Sequence, residues 1–227
     1  MRLLTVFVFT FFTLGLSCQV TYSAEDNYID AKEYNIVTGS RYYKDVKAVE
    51  ITSRGKSSKG NIITVNDTTT NLGEKEIDGK VHLVAVNKST LSIGDTKPLI
   101  ITSYNYYDLN GNFEYSQLNE LGMKRVAYDK EGNIDKLLVG KKYYNSNKNS
   151  DGSIELTEFI ASRGNNNIII KSKSYMIKDD VKSISCEAEY ILQTDGAVKH
   201  INLKMTYPNE KMELSSENIK VFTQYRQ

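Results

Sequence analysis

From residue 46 onward, apolar and polar residues alternate one by one along most of the chain. In 198–207, Ile201, Leu203, Met205 and Tyr207 share one parity, and Asn202, Lys204 and Thr206 take the other. Just before it, Cys186, Ala188, Tyr190 and Leu192 alternate with Glu187, Glu189 and Gln193. Period two is the signature of a strand with one buried face. Thr194, Asp195 and Gly196 separate these two runs, and Asp-Gly between alternating runs predicts a hairpin with a type I′ turn. Further strands are expected at 46–53, 62–68, 81–86, 99–107, 113–118, 124–128, 134–144, 154–162, 168–176 and 212–222. Polar separators are expected at 54–60, 71–79 and 87–97. About ten to twelve strands at such spacing predict an all-β antiparallel meander that forms a curved sheet, barrel or sandwich. No long 3.6-period stretch interrupts it; 155–162 and 25–34 could each form a short helical turn.

The first residues follow other rules. One basic residue, Arg2, precedes an apolar run from Leu3 to Leu16. That is the size of a signal-peptide core, and short of the about 20 residues a membrane span needs. Cleavage after Ser23 divides the chain into a signal peptide (1–23), a lead-in (24–45) and a single antiparallel β domain (46–227). Cleavage after Ser17 would leave Cys18 first. Ser17-Cys18 resembles a bacterial lipobox, from which Gly15 departs, and the resemblance implies lipidation at Cys18. The chain is thus expected to be secreted or periplasmic, or lipid-anchored to the cell envelope.

Composition narrows the chemistry. The 29 basic and 28 acidic residues leave a net charge of +1 in 227 residues, interspersed along the chain. No strong field attracts nucleic acid, and a membrane would be met only through a lipid anchor. Two cysteines, one of them beside the signal, make no disulfide scaffold. Cys186 reads as a small buried hydrophobe, with Glu187 and Glu189 opposing a thiolate. Sixteen tyrosines and only two prolines suit long ladders.

Two segments, Tyr107–Asn112 and Tyr128–Asn133, share the pattern YDxxGN. They resemble the turns of YD-type hairpin repeats of bacterial surface proteins. Aspartate caps such a turn and glycine supplies positive φ.

The sharpest motif is NKNSDGSIELTE at 147–158. It resembles the EF-hand calcium loop, with Asn147, Asn149 and Asp151 at the first three ligand positions, Gly152 at the turn and Glu158 at position twelve. Ser153 would lend its carbonyl. Asn147 replaces the usual aspartate, and the flanking segments read as strands, so turn formation alone also accounts for the composition.

Other chemistries are thinly supplied. His82 and His200, the two histidines, are too few for a histidine- and thiolate-built zinc site. No nucleophile elbow or phosphate-cradling glycine loop is present. Glu155, Glu158, Glu187 and Glu189 could serve a glycan-active enzyme as paired carboxylates. A small outer-membrane barrel fits the strand lengths, but charges on many strands oppose a lipid-facing band. The reading that remains is an exported, non-enzymatic binding or scaffolding module. It would dock a protein partner or hold an apolar ligand in the cell envelope. A calcium-binding module and a glycan-active enzyme stand as alternatives.

Overall fold

The computed structural model describes residues 27–119, 122–130, 135–207 and 210–223. The expected signal peptide and Cys18 lie outside them, as do residues 131–133 of the second YDxxGN segment. Fourteen strands and one helix follow in order: β1 (Tyr28–Asp30), α1 (Lys32–Thr38), β2 (Val46–Ser57), β3 (Ile62–Ile77), β4 (Lys80–Ile93), β5 (Leu99–Tyr107), β6 (Phe113–Leu118), β7 (Met123–Lys130), β8 (Lys136–Leu138), β9 (Lys142–Asn149), β10 (Ile154–Arg163), β11 (Ile168–Lys178), β12 (Val181–Leu192), β13 (Val198–Tyr207) and β14 (Glu210–Thr223). Twelve of the strands close into one barrel, each antiparallel to its neighbours. The first barrel strand, β2, pairs with the last, β14, and this seam joins the two ends of the chain. β1 and β8 pair only with each other.

The expected fold class holds, and the alternatives resolve to a barrel. Three of the strands, 99–107, 113–118 and 198–207, have the expected bounds. Others are longer. Segments 71–77 and 87–93, read as separators, continue β3 and β4. Their residues are mostly polar, and the alternation of Leu91 and Ile93 is too short to mark a strand by itself. Segment 134–144 divides into β8 and the start of β9, and 155–162 is strand rather than helical turn. In the lead-in, α1 begins at Lys32.

Directly paired residues of an antiparallel ladder point to the same side. One such row runs Phe159, Ser172, Ala188, Leu203, Leu214, Gly55, Ile63 and Ile93 across eight strands, β10 to β14 and β2 to β4. Phe159, Leu214 and Ile63 are buried, so this row faces inward. At one end the interior is filled by the chain's own N-terminal segment. Ile29, Ala31 and Tyr34 pack with Leu137 of β8 against Tyr143, Phe159, Ala161, Ile170, Leu192 and Ile201. The ring of Tyr34 meets Tyr190 edge-on at 4.9 Å, and Phe159 stacks on Tyr143 at 5.6 Å. The helix is short, and Gly39 ends it at φ 66°, where the Ser40 N–H donates to the Asn35 carbonyl. Backbone bonds secure the plug: Ala31 N–H to Asp135 O (2.7 Å) and Val139 N–H to Asn27 O (2.8 Å). A second cluster of Tyr42, Leu83, Ala85 and Tyr107 seats the segment that leads from α1 into β2.

Four hairpins share one turn. At Ser57, Asp108, Asn149 and Gln193, the first residue's N–H donates to the carbonyl four residues on, and its carbonyl accepts from a glycine three residues on. Those glycines, Gly60, Gly111, Gly152 and Gly196, have φ of 84°, 83°, 84° and 91°. This is a type I turn closed by a glycine bulge. The turn at Asp195-Gly196 therefore differs from the expected type I′. Only the glycine takes positive φ, and the bulge residue adds the right-handed twist that a type I turn by itself lacks.

Candidate functional site

The calcium-like segment 147–158 is the β9–β10 hairpin, one of the four turns just described. Strands flank it, where an EF-hand has helices. The turn brings Asn149, Asp151 and Ser153 together. Asn149 Nδ2 donates to Ser153 Oγ at 3.0 Å, and Ser153 donates to Asp151 Oδ1 through its hydroxyl (2.6 Å) and its N–H (3.1 Å). Lys178 Nζ lies 3.2 Å from Asp151 Oδ2. Asn147 and Glu158 are not part of this group. Asn147 pairs with Glu155, and Glu158 pairs with Tyr144 three ladder steps further along. Glu158 faces outward and meets Lys142 at 3.3 Å. Among the described residues, no three side chains of His, Cys, Asp or Glu gather as a metal site.

The Ser153 hydroxyl, the Ser153 N–H and Lys178 hold the Asp151 carboxyl down at about 2. A folded-state value below the ordinary one stabilises the turn above about pH 4, and that contribution fades as pH falls towards 2. NMR titration is expected to place the Asp151 midpoint near 2, and Ser153→Ala to move it upward. A midpoint near 4 in the parent chain would rule out this hydrogen-bonded turn.

A broad concavity of the described surface lies elsewhere. A trough of about 710 Å³ crosses the outer face of β10, β11, β12, β13, β14 and β2. Two rows of outward side chains form its rails. The first is Glu158, Lys173, Glu187, Lys204 and Glu213, in direct cross-strand register. The second is Ile160, Lys171, Glu189, Asn202, Ser215 and Arg54. Between them runs the backbone of the inward row from Phe159 to Gly55, whose side chains point into the barrel. From strand geometry the trough is roughly 24 Å long and its rails stand about 6.6 Å apart.

The first rail alternates in sign, the second carries Lys171, Glu189 and Arg54 among neutral residues, and ion pairs bridge neighbouring strands. Lys173–Glu187 is 2.8 Å, Lys204–Glu213 is 3.3 Å and Lys171–Glu189 is 3.6 Å. Lys173 holds the Glu187 carboxyl below its usual range, and Glu187 in turn raises the Lys173 ammonium. A general acid of glycoside hydrolysis needs a raised carboxyl. Glu187 is shifted the other way, and no tyrosine side chain lines the trough. Of the four carboxylates singled out in sequence, Glu158, Glu187 and Glu189 line the rails, and Glu155 faces inward.

At the margin of the trough, His200 Nε2 lies 2.7 Å from Ser215 Oγ and 3.0 Å from Asn202 Oδ1, and Nδ1 lies 3.3 Å from Ser216 Oγ. Sequence reasoning missed this contact, because the partners come from two strands. Ser215 sits mid-strand opposite Asn202, not on the strained turn that presents a nucleophile. The arrangement ties β13 to β14. His82 of β4 is buried, with Nδ1 2.8 Å from Glu114 Oε2. Cys186 faces inward and is half-buried. Burial, with Glu155 and Glu187, pushes its thiol up to about 11, so it is protonated at neutral pH.

No helix among the described residues is long and apolar enough to cross a membrane. No family model matches the chain, and no curated protein matches it. Among solved structures, a presumed exported protein with a YmcC-like fold from Bacteroides fragilis aligns with 8% identity and a TM-score of 0.34, covering 80% of this chain and 99% of that one. A likeness of that size does not establish a common topology, and the fold stands on the strand pairing itself.

Proposed function

We propose that this chain is an exported, non-enzymatic barrel of the cell envelope that docks an extended segment of a partner protein along the outer trough. The observation that carries the reading is the trough itself, six strands long and railed by charges of both signs. An extended polypeptide bearing Lys and Glu side chains matches such rails. Its backbone groups can bond to them, and its apolar atoms can rest on the lysine stems. Interior packing favours this over an apolar ligand, since the chain's own Ile29, Ala31, Tyr34 and Leu137 fill one apolar part of the lumen and Ile63, Met212 and Leu214 pack with their neighbours in another. The charged outer rows also oppose a lipid-facing band, which supports a barrel outside the bilayer. Export rests on the apolar run from Leu3 to Leu16. The anchor at Cys18, if used, would hold the barrel at a membrane surface.

Photocrosslinkers placed at Asn202 and Ser215, in the chain's own host, test the docking. A discrete adduct is expected from both positions and none from Thr90, on the outer face of β4. Lys173→Glu with Lys204→Glu should reduce the adduct at least tenfold by setting like charges across the strands. Equal adducts from Thr90, or no effect of the double reversal, would sink the docking proposal. Intact mass of the same preparation should show a chain lacking residues 1–23, or one beginning at an acylated Cys18. A mass retaining residues 1–17 would refute export by a cleaved signal.

A further inference from the structure

Sulfur gathers on the inner wall at the end of the barrel away from the plug. Cys186 of β12 stands directly opposite Met205 of β13, and Met205 stands directly opposite Met212 of β14. All three face inward, because each lies two residues from a member of the inward row through Ala188, Leu203 and Leu214. Directly paired Cβ atoms stand about 5 Å apart, and a methionine is long and flexible, so both thioethers can converge with the Cys186 thiol on one point. Two further methionines face the same space. Met176 of β11 pairs with the inward Glu155, and Met123 of β7 keeps the side of Ala127, which pairs with Asn147 opposite Glu155. Four of the chain's five methionines thus share one end of one lumen with the free cysteine.

Packing alone does not call for sulfur here, since leucine fills the adjoining inward row at Leu203 and Leu214. Nor is the group sealed. Cys186 and Met205 are half-buried and keep surface that water touches, while Met212, 6% exposed, backs them. A single ion needs no wider path than water does. On the far side of Cys186, the Ser174 hydroxyl is already engaged with Thr157 at 2.8 Å.

We propose that Cys186, Met205 and Met212 bind a soft monovalent metal ion, Cu(I), through one thiolate and two thioethers. Thiolate and thioether sulfur together select Cu(I) over harder ions. Zinc draws its ligands from Cys, His, Asp and Glu, and among the described residues no three of these gather. Calcium and magnesium take oxygen. Glu155 and Glu187 lie close enough to oppose a free thiolate, and the same negative field favours a cation on the sulfur. Binding replaces the thiol proton, which passes to solvent. Copper enters and stays as Cu(I), so no electron moves. The site lies inside the barrel and the trough outside it, so either can fail without the other.

Anaerobic titration of the mature chain with Cu(I), against a colorimetric cuprous chelator, tests the proposal, and X-ray absorption counts the sulfurs on the bound metal. One ion per chain is expected, with three sulfur neighbours. Cys186→Ser should abolish binding. Met205→Leu with Met212→Leu nearly conserves volume and leaves the thiol in place, so circular dichroism should be unchanged while affinity falls about a hundredfold or more. Lys173→Glu in the trough should have no effect. Affinity that survives the double methionine substitution would reduce the site to an ordinary thiol and overturn the proposal. So would absence of Cu(I) binding, a single sulfur neighbour, or equal competition by Zn²⁺. Sulfur counting needs no variant, so it decides even where the double variant fails to fold.

Discussion

Gly55→Ala is expected to prevent the barrel from closing. Gly55 lies on β2 at the seam, opposite Leu214 of β14. A Cβ there would stand 1.7 Å from the Glu213 carbonyl oxygen and 2.9 Å from Leu214 Cα. Both are backbone atoms held in a ladder, so neither can swing aside as a side chain would. Overpacking a core by a methylene costs about 1–3 kcal/mol, and a backbone collision exceeds that range. The neighbouring inward residues, Leu214 and Ile63, pack over the space the glycine leaves, so separating the strands would also open the cluster they form with Met212. Folding of the whole chain depends on this seam, because it joins the first barrel strand to the last. Circular dichroism and a denaturant titration should show no cooperative transition, or a stability loss above about 3 kcal/mol. Gly60→Asn is the control. Gly60 sits at φ 84° with nothing near its missing Cβ, and asparagine tolerates that conformation at a cost of roughly 1 kcal/mol. Equal behaviour of the two variants would show that the close approach at Gly55 is not what closes the barrel.

Phe159→Ala carries the next largest expected effect. Phe159 is 2% exposed and is the hinge of an aromatic stack, with Tyr143 at 5.6 Å and Tyr34 at 5.8 Å. Removing a buried phenylalanine costs about 3–5 kcal/mol, from lost transfer energy and the cavity left behind. Against a typical stability of about 5–15 kcal/mol that is a large share. The melting temperature should fall by roughly 10 °C. Because the ring supports Tyr34, the loss should be felt first in the plug. Amide exchange in α1 should accelerate more than in β3 or β4, which do not touch this cluster. Uniform acceleration across the chain would mean that the plug and barrel open together, and the plug would then be no separate unit of stability.

The chain's own pattern determined which residues form strands wherever one face is apolar and the other is not. In 198–207 and 186–192 alternate side chains meet different solvents, and the period is plain. It was lost in 71–77 and 87–93. There the inward positions Asn71, Asn87 and Ser89 are polar, like their outward neighbours, and Leu91 and Ile93 alone are too short a run to show the period. The turn residues were likewise local. Glycine at the bulge and Asp, Asn or Ser around it follow from one-residue backbone preferences, which is why a calcium-like loop and a simple hairpin share the same letters at 147–158. The expected signal peptide is local too, since its apolar run is read without any folded structure.

Closure was decided elsewhere. Whether a meander becomes a sandwich or a barrel depends on the pairing of β2 with β14, separated by most of the chain, and on shifts of register such as that between Ser216 and Asn218. The plug was equally hidden. Ile29, Ala31 and Tyr34 are too few to signal burial until a wall of apolar residues from β9 to β13 surrounds them. The trough could not be read from any single strand. Glu187-Ala188-Glu189 alone is a solvated face. It becomes part of a rail only when six strands align in register. Asn145, Asn147 and Asn149 alone read as loop residues, and they become an inner wall only when the barrel gives the sheet an inside. Local alternation sets which residues share a face, but long-range pairing sets which face is enclosed and which residues from distant strands stand side by side.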